Sequence, residues 1–189
     1  RVEGPIQVHA RGGYRMQIAG HERAPFLGEP RNPVWYPALV RRLGFAEGAT
    51  WRTWDFEGWK LWAFRAFHRV QGYRNRKLRR RGYATVEMDR ARFVGELTRI
   101  YPIVMSCYGG APAFWPLDLD EYLRLNLPLE HASGVRGALL FKDGVTDPIG
   151  FGMGIEEAER GVLHSFGILK EHRGLGLAHL VMEHAFAEM

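Results

Sequence analysis

A chain of 189 residues, 46% hydrophobic, 25% charged and 13% aromatic, has material for one full domain or two partial ones and is not a disordered composition. No apolar run approaches the roughly 20 residues that cross a bilayer, and no signal peptide opens the chain. The net charge of +5 is concentrated in residues 57–82, which hold nine Lys/Arg against one acid, so a broad nucleic-acid-binding face is not expected.

In chain order, residues 6–10 and 14–19 alternate as two short strands around Arg11-Gly12-Gly13. Asn32-Pro33 is a helix start, and the helix through Leu39, Val40 and Leu43 ends at Gly44. A strand with Trp51, Thr53 and Phe56 follows, and Trp59 to Arg81 reads as one helix with an aromatic front end and a basic tail. Beyond Gly82 comes a strand at about 83–88, then Asp89 as the cap of a helix reaching about Cys107. Phe93, Val94, Leu97, Ile100, Tyr101 and Val104 share one face of that helix. A second helix is capped by Asp118 and carries Tyr122, Leu123 and Leu127. Three strands, roughly 136–142, 149–155 and 161–169, are joined by hairpins and must be antiparallel. A helix from about 174 to 189 ends the chain.

The last strand runs through Phe166, Gly167 and Ile168 into Arg173-Gly174-Leu175-Gly176-Leu177-Ala178 and then into that helix. Such a junction binds anions, because unpaired N–H groups and the helix dipole both face outward there. Gly174 and Gly176 let the backbone approach a phosphate, Arg173 can bond it in bidentate fashion, and Ala178 keeps the helix close to the strand.

Arg173-x-x-Gly176-x-Ala178 resembles the pyrophosphate-binding motif of the GNAT N-acetyltransferase superfamily, and the order of elements from 83 to 189 is similar to that fold's first strand through third helix. The resemblance implies an α/β fold with a mixed, mostly antiparallel sheet flanked by helices. It also implies acetyl-CoA as co-substrate, bound by Phe166, Gly167, Ile168, Arg173, Gly174, Leu175, Gly176, Leu177 and Ala178. In the family the strand before the motif splays from its neighbour and pairs with the pantetheine arm. One backbone N–H there polarises the thioester carbonyl, and the amine attacks directly without a covalent enzyme intermediate.

Arg42-Leu43-Gly44-Phe45 resembles the Leu-Gly-Phe ending of the family's fourth helix, so residues 1–56 look like the second half of such a domain. The resulting division is 1–56 as a C-terminal half, 57–82 as a basic linker helix, and 83–189 as an N-terminal half. A piece of a tandem protein, or a permuted or swapped domain, both fit a chain running from Arg1 to Met189, and weak turnover by this segment alone is expected. The family's proton donor is a tyrosine four residues before the Gly-Phe pair. That position is Val40, and Tyr36, one turn back, is the nearest substitute.

Candidates for the general base are His164 on the last strand and Glu156 or Glu157 at its approach, although a strand histidine is commonly a packed structural residue and turn glutamates are commonly solvated. Cys107 ends an apolar helix face and reads as a packing residue. As a lone cysteine it forms no internal disulfide, and a reducing cytoplasmic setting is expected. The histidines show no metal-ligand spacing. The basic run 74–81 fits a solvated linker, nucleic acid, an acidic carrier or the 3′-phosphate of CoA. The function expected is acetyl transfer to a small-molecule or protein amine, with no membrane partner and with a homodimer or neighbouring domain possible. A non-catalytic acyl-CoA-binding module and a nucleic-acid or partner-binding domain are the alternatives.

Overall fold

The computed structural model describes residues 16–48, 50–110, 116–131, 134–157 and 160–186. The chain forms two compact units, Arg1–Phe56 with Ala111–Trp115, and Glu57–Gly110 with Pro116–Met189.

In the first unit, helix α1 spans Tyr36–Arg42 and is followed by Gly44 at φ 87°. The Gly44 amide donates to Arg41 O and the Phe45 amide to Val40 O, the left-handed helix ending that glycine permits. Asn32 does not cap this helix, because its side chain is committed to the backbone of Gln17. Its Oδ1 accepts from the Gln17 amide at 2.7 Å and its Nδ2 donates to Gln17 O at 3.1 Å. The expected strand through Trp51, Thr53 and Phe56 is not formed, since that stretch joins no ladder among the described residues. The expected strand 6–10 lies outside the described residues, as do residues 14 and 15 of the expected strand 14–19; its residues 16–19 are described and irregular, so that strand is not formed there.

The second unit is built on an antiparallel four-stranded sheet in the order β1 (Tyr83–Glu87), β2 (Val135–Lys142), β3 (Gly150–Glu157) and β4 (Arg160–Ile168). Its helices are α2 (Trp59–Val70), α3 (Gly72–Arg80), α4 (Phe93–Tyr108), α5 (Leu119–Asn126), α6 (Pro128–His131) and α7 (Ala178–Phe186). The mostly antiparallel sheet with helices on both faces is the α/β architecture anticipated from the sequence. Asp118 caps α5 by accepting from the Glu121 amide at 2.8 Å. Asp89 does the same for Ala91 at 2.9 Å, which opens a 3-10 turn ahead of α4.

Two apolar layers sandwich the sheet. Phe93, Leu97, Ile100 and Ile103 of α4 with Tyr122 of α5 pack on Leu139, Phe151, Met153 and Ile155. Leu78 of α3 with Leu180 and Val181 of α7 packs on Ala138, Leu140 and Ile149. Each Leu, Ile, Val, Phe or Met side chain among them contributes about 1.5–3 kcal/mol when fully buried. The alternation follows from the pleat. It is clearest in β3, where Phe151, Met153 and Ile155 face α4 while Gly150, Gly152 and Gly154 take the alternate positions. A Cβ on Gly152 would stand 2.4 Å from Val181 Cγ1, so α7 lies directly on the bare strand backbone.

Two helix expectations change. The segment 59–81 is two helices, broken at Gln71-Gly72 where glycine gives poor helical support. The last helix starts at Ala178, not 174, because Gly174 and Gly176 sit at φ 79° and 80°, outside the helical region. The basic segment is no free-standing linker. Leu78 is buried in the core, and Asn75 Nδ2 donates to Glu183 Oε2 on α7 at 2.6 Å.

Candidate functional site

Strand β4 is paired on one side only among the described residues, with β3. Its register steps from Met153↔Ser165 to Gly154↔Leu163, which leaves His164 as an extra residue in a β-bulge. The bulge re-aims the imidazole, whose Nδ1 lies 3.1 Å from Ser165 Oγ. Two consecutive polar side chains thus meet at the one register shift found in the sheet among the described residues, and Ser165 is buried.

C-terminal to the bulge, the open edge of β4 carries its own caps. The Tyr108 hydroxyl, at the end of α4, donates to Phe166 O at 3.0 Å. Ile168 O accepts from Arg173 Nε at 2.8 Å and from the Cys107 thiol at 3.4 Å. Because these carbonyls are met by side chains from α4 and the following turn, Phe166 and Ile168 face away from β3. In an extended strand the N–H of a residue points the same way as its C=O, so both amides face the open edge too. Gly167 between them is buried, and a Cβ there would come within 2.9 Å of Phe151 Cε1 and 3.1 Å of Cys107 Sγ. Glycine is what lets α4 close on the strand.

After β4, a 3-10 turn over Lys170–His172 leads into the glycine loop. The Arg173 amide donates to Lys170 O and the His179 amide to Gly176 O. Between them, among the described residues, the amides of Gly174, Leu175, Gly176 and Leu177 have no hydrogen-bond acceptor. Leu177 is buried under α7 and anchors the loop from below. The result is a run of unsatisfied donors at the N-terminus of α7, held at positive φ by two glycines, which is an anion cradle.

Arg173 is not the cation over that cradle. Its guanidinium turns back along the strand to Ile168 O and to Cys107 Sγ, the latter at 3.3 Å. The position over the loop is taken by Arg74 of α3, whose Nη2 donates to Leu175 O at 3.1 Å. A Cβ on Gly176 would stand 2.4 Å from the Arg74 guanidinium. Nearby, burial foremost and the Arg74 charge second hold His179 below the ordinary histidine range.

Glu156 and Glu157 lie elsewhere in the second unit. Glu156 is at the far end of β3 opposite Gly161, exposed and 3.4 Å from Arg136 Nε. Glu157 pairs with Arg160 at 2.6 Å across the hairpin. Neither shares a ladder position with His164. Tyr36 belongs to the first unit, where its ring packs edge-on against Trp35 at 5.9 Å between centroids. Nothing in the sequence marks Tyr108 as a site residue, and the basic run 74–81 does not reveal that Arg74 in particular meets the loop, since contacts 58 and 101 positions apart leave no periodic trace.

Residues 97–189 match the family model described as acetyltransferase (GNAT) family. No curated protein matches the chain. Among solved structures, an acetyltransferase from Thermus thermophilus is 22% identical, with a TM-score of 0.45 over 57% of this chain and 70% of that one. The aminoglycoside N-acetyltransferase AAC(6')-Iy, solved in complex with CoA, is 16% identical, with a TM-score of 0.39 over 53% of this chain and 64% of that one.

Proposed function

We propose that this chain moves an acetyl group from acetyl-CoA to an amine; residues 97–189 match the model of the acetyltransferase (GNAT) family, whose chemistry is acyl transfer. The observation that carries the proposal is the run of unpaired amides at Gly174–Leu177, directly beyond a strand whose open edge presents the backbone of Phe166 and Ile168. The amides and the α7 dipole would hold the pyrophosphate. The strand edge would hold the pantetheine amides as an added strand. The thioester would then lie toward the bulge at His164.

The reaction then needs little from the protein beyond position and proton transfer. Nitrogen of the neutral amine attacks the thioester carbonyl and the N–C bond forms. A backbone N–H of the bulged strand stabilises the oxyanion, the C–S bond breaks, and the thiolate takes up the proton that the attacking nitrogen sheds as it becomes the amide. His164 is the proposed base. With Nδ1–H donated to Ser165 Oγ, its Nε2 carries the lone pair that removes the ammonium proton. Glu156 is proposed only as a relay through water, because Arg136 already neutralises it.

Titration of the protein with acetyl-CoA, followed by a thiol-release assay across a panel of amines, tests the reading. Saturable binding with amine-dependent thiol release supports it. Binding without release for any amine would favour an acyl-CoA-binding module, and no binding removes the proposal.

A further inference from the structure

The cradle is not made by the family segment alone. A cavity of about 280 Å³ opens beside it, lined by Arg74, Lys77, Leu78 and Arg81 together with Gly174 and Leu175. Its cations come from the end of the basic segment, upstream of the residues that match the family. Spacings of three and four residues put Arg74, Lys77 and Arg81 on one face.

That face is held rigidly. Leu78 is buried in the core under the sheet. One turn away, Asn75 and Arg79 both reach Glu183 on α7, at 2.6 and 3.3 Å. Arg79 therefore has a carboxylate to balance it. Among the described residues, Arg74, Lys77 and Arg81 have none, and no acidic side chain lines the cavity. Like charges on neighbouring turns repel each other. A preorganised, unneutralised triad against a loop of free amides is the electrostatic signature of an anion subsite.

We propose that Lys77 and Arg81, with Arg74 at the junction, form a second phosphate subsite that receives the 3′-phosphomonoester of CoA. The inference rests on the pyrophosphate reading of the glycine loop. Arg74 lies over Gly176 and adjoins the pyrophosphate position. Lys77 and Arg81 lie about 4 and 10 Å further along the helix axis. They reach beyond the loop, toward charge that a pyrophosphate alone does not supply. In CoA the remaining charge is a phosphomonoester on the ribose, bearing close to two negative charges at neutral pH. The basic segment thereby becomes a selectivity element that distinguishes CoA from its dephosphorylated form.

The test compares CoA and dephospho-CoA by titration calorimetry on the full chain and on the double variant Lys77→Gln/Arg81→Gln. The chain should bind CoA at least about tenfold more tightly than dephospho-CoA at low salt. The double variant should lose that preference to within about threefold, with its dephospho-CoA affinity unchanged. Both side chains are outside the core, so folding is checked by the unchanged dephospho-CoA affinity itself. Equal binding of the two ligands by the unaltered chain overturns the subsite and leaves the pyrophosphate reading intact. Binding of neither ligand overturns both. A variant that keeps the CoA preference but loses affinity for a single-stranded oligonucleotide assigns the triad to nucleic acid and also overturns the subsite.

Discussion

The Tyr108 hydroxyl donates to the carbonyl of Phe166 at 3.0 Å, joining the end of α4 to the open edge of β4. If a pantetheine arm pairs with that edge, it meets a carbonyl already engaged by the protein's own side chain. Removing the hydroxyl should relieve this competition, and a neutral hydrogen bond is worth about 0.5–1.5 kcal/mol net. Tyr108→Phe is expected to bind CoA about two- to tenfold more tightly, read as Kd by titration. Weaker binding would instead put the hydroxyl in direct contact with the ligand.

Gly176 should be intolerant of a branched side chain for a backbone reason. Its φ is 80°, where a β-branched residue is strained by about 1–3 kcal/mol. The Arg74 guanidinium also occupies the space a Cβ would enter. Gly176→Val should reshape the loop and reduce CoA affinity by at least about tenfold, while circular dichroism shows the sheet and helices retained. Unchanged affinity in a folded variant would remove the loop from the site.

The proposed role of His164 as base predicts that its substitution separates catalysis from binding. Its imidazole stands at the bulge and not on the glycine loop proposed to hold phosphate. His164→Gln is expected to lower kcat by about a hundredfold and to leave the KM for acetyl-CoA within about twofold. An unaltered kcat would make the histidine a packing residue beside Ser165.

His179 gives a pH dependence whose sign is fixed. Burial first, and the Arg74 charge second, lower its folded value. As pH falls through the ordinary histidine value of about 6.5, the unfolded chain takes up the proton before the folded one. The histidine's contribution to stability is therefore complete above that value and declines below it, until the folded chain also protonates. An anion beside Arg74 screens the second cause, so CoA binding should raise the value and be accompanied by proton uptake. An NMR titration of His179 with and without CoA checks this, and a shift in the opposite direction would contradict it.

Asn75 tests how firmly α3 is docked. It is buried, and its amide serves the Glu183 carboxylate. Asn75→Ala should destabilise the second unit by about 1–3 kcal/mol, measured by denaturant unfolding, and should weaken CoA binding more than dephospho-CoA binding.

Much of this protein is determined by its sequence because the relevant physics is local. The Gly-Phe-Gly-Met-Gly-Ile alternation of β3 follows the two-residue pleat. Asp89 and Asp118 cap amides within two or three positions of themselves. The glycine loop owes its form to a strand, two residues at positive φ and a helix start, all contiguous from Phe166 to Ala178. Locality also explains the errors. Asn32 has the chemistry of a cap, but Gln17 offers its side chain two backbone partners at once. The stretch 51–56 has strand-like residues and no neighbouring strand among the described residues to complete a ladder. What tertiary structure alone decided is which side chains attend the loop and the strand edge. Arg74 lies over Gly176, Tyr108 meets Phe166, and Arg173 turns back to Ile168 and Cys107 instead of facing the cradle. Apart from the turn of Arg173 to Ile168, these contacts join segments tens to a hundred residues apart. They exist because α3 and α4 are held against the sheet by Leu78 and Ile103, and no spacing along the chain records where two packed helices bring their side chains together.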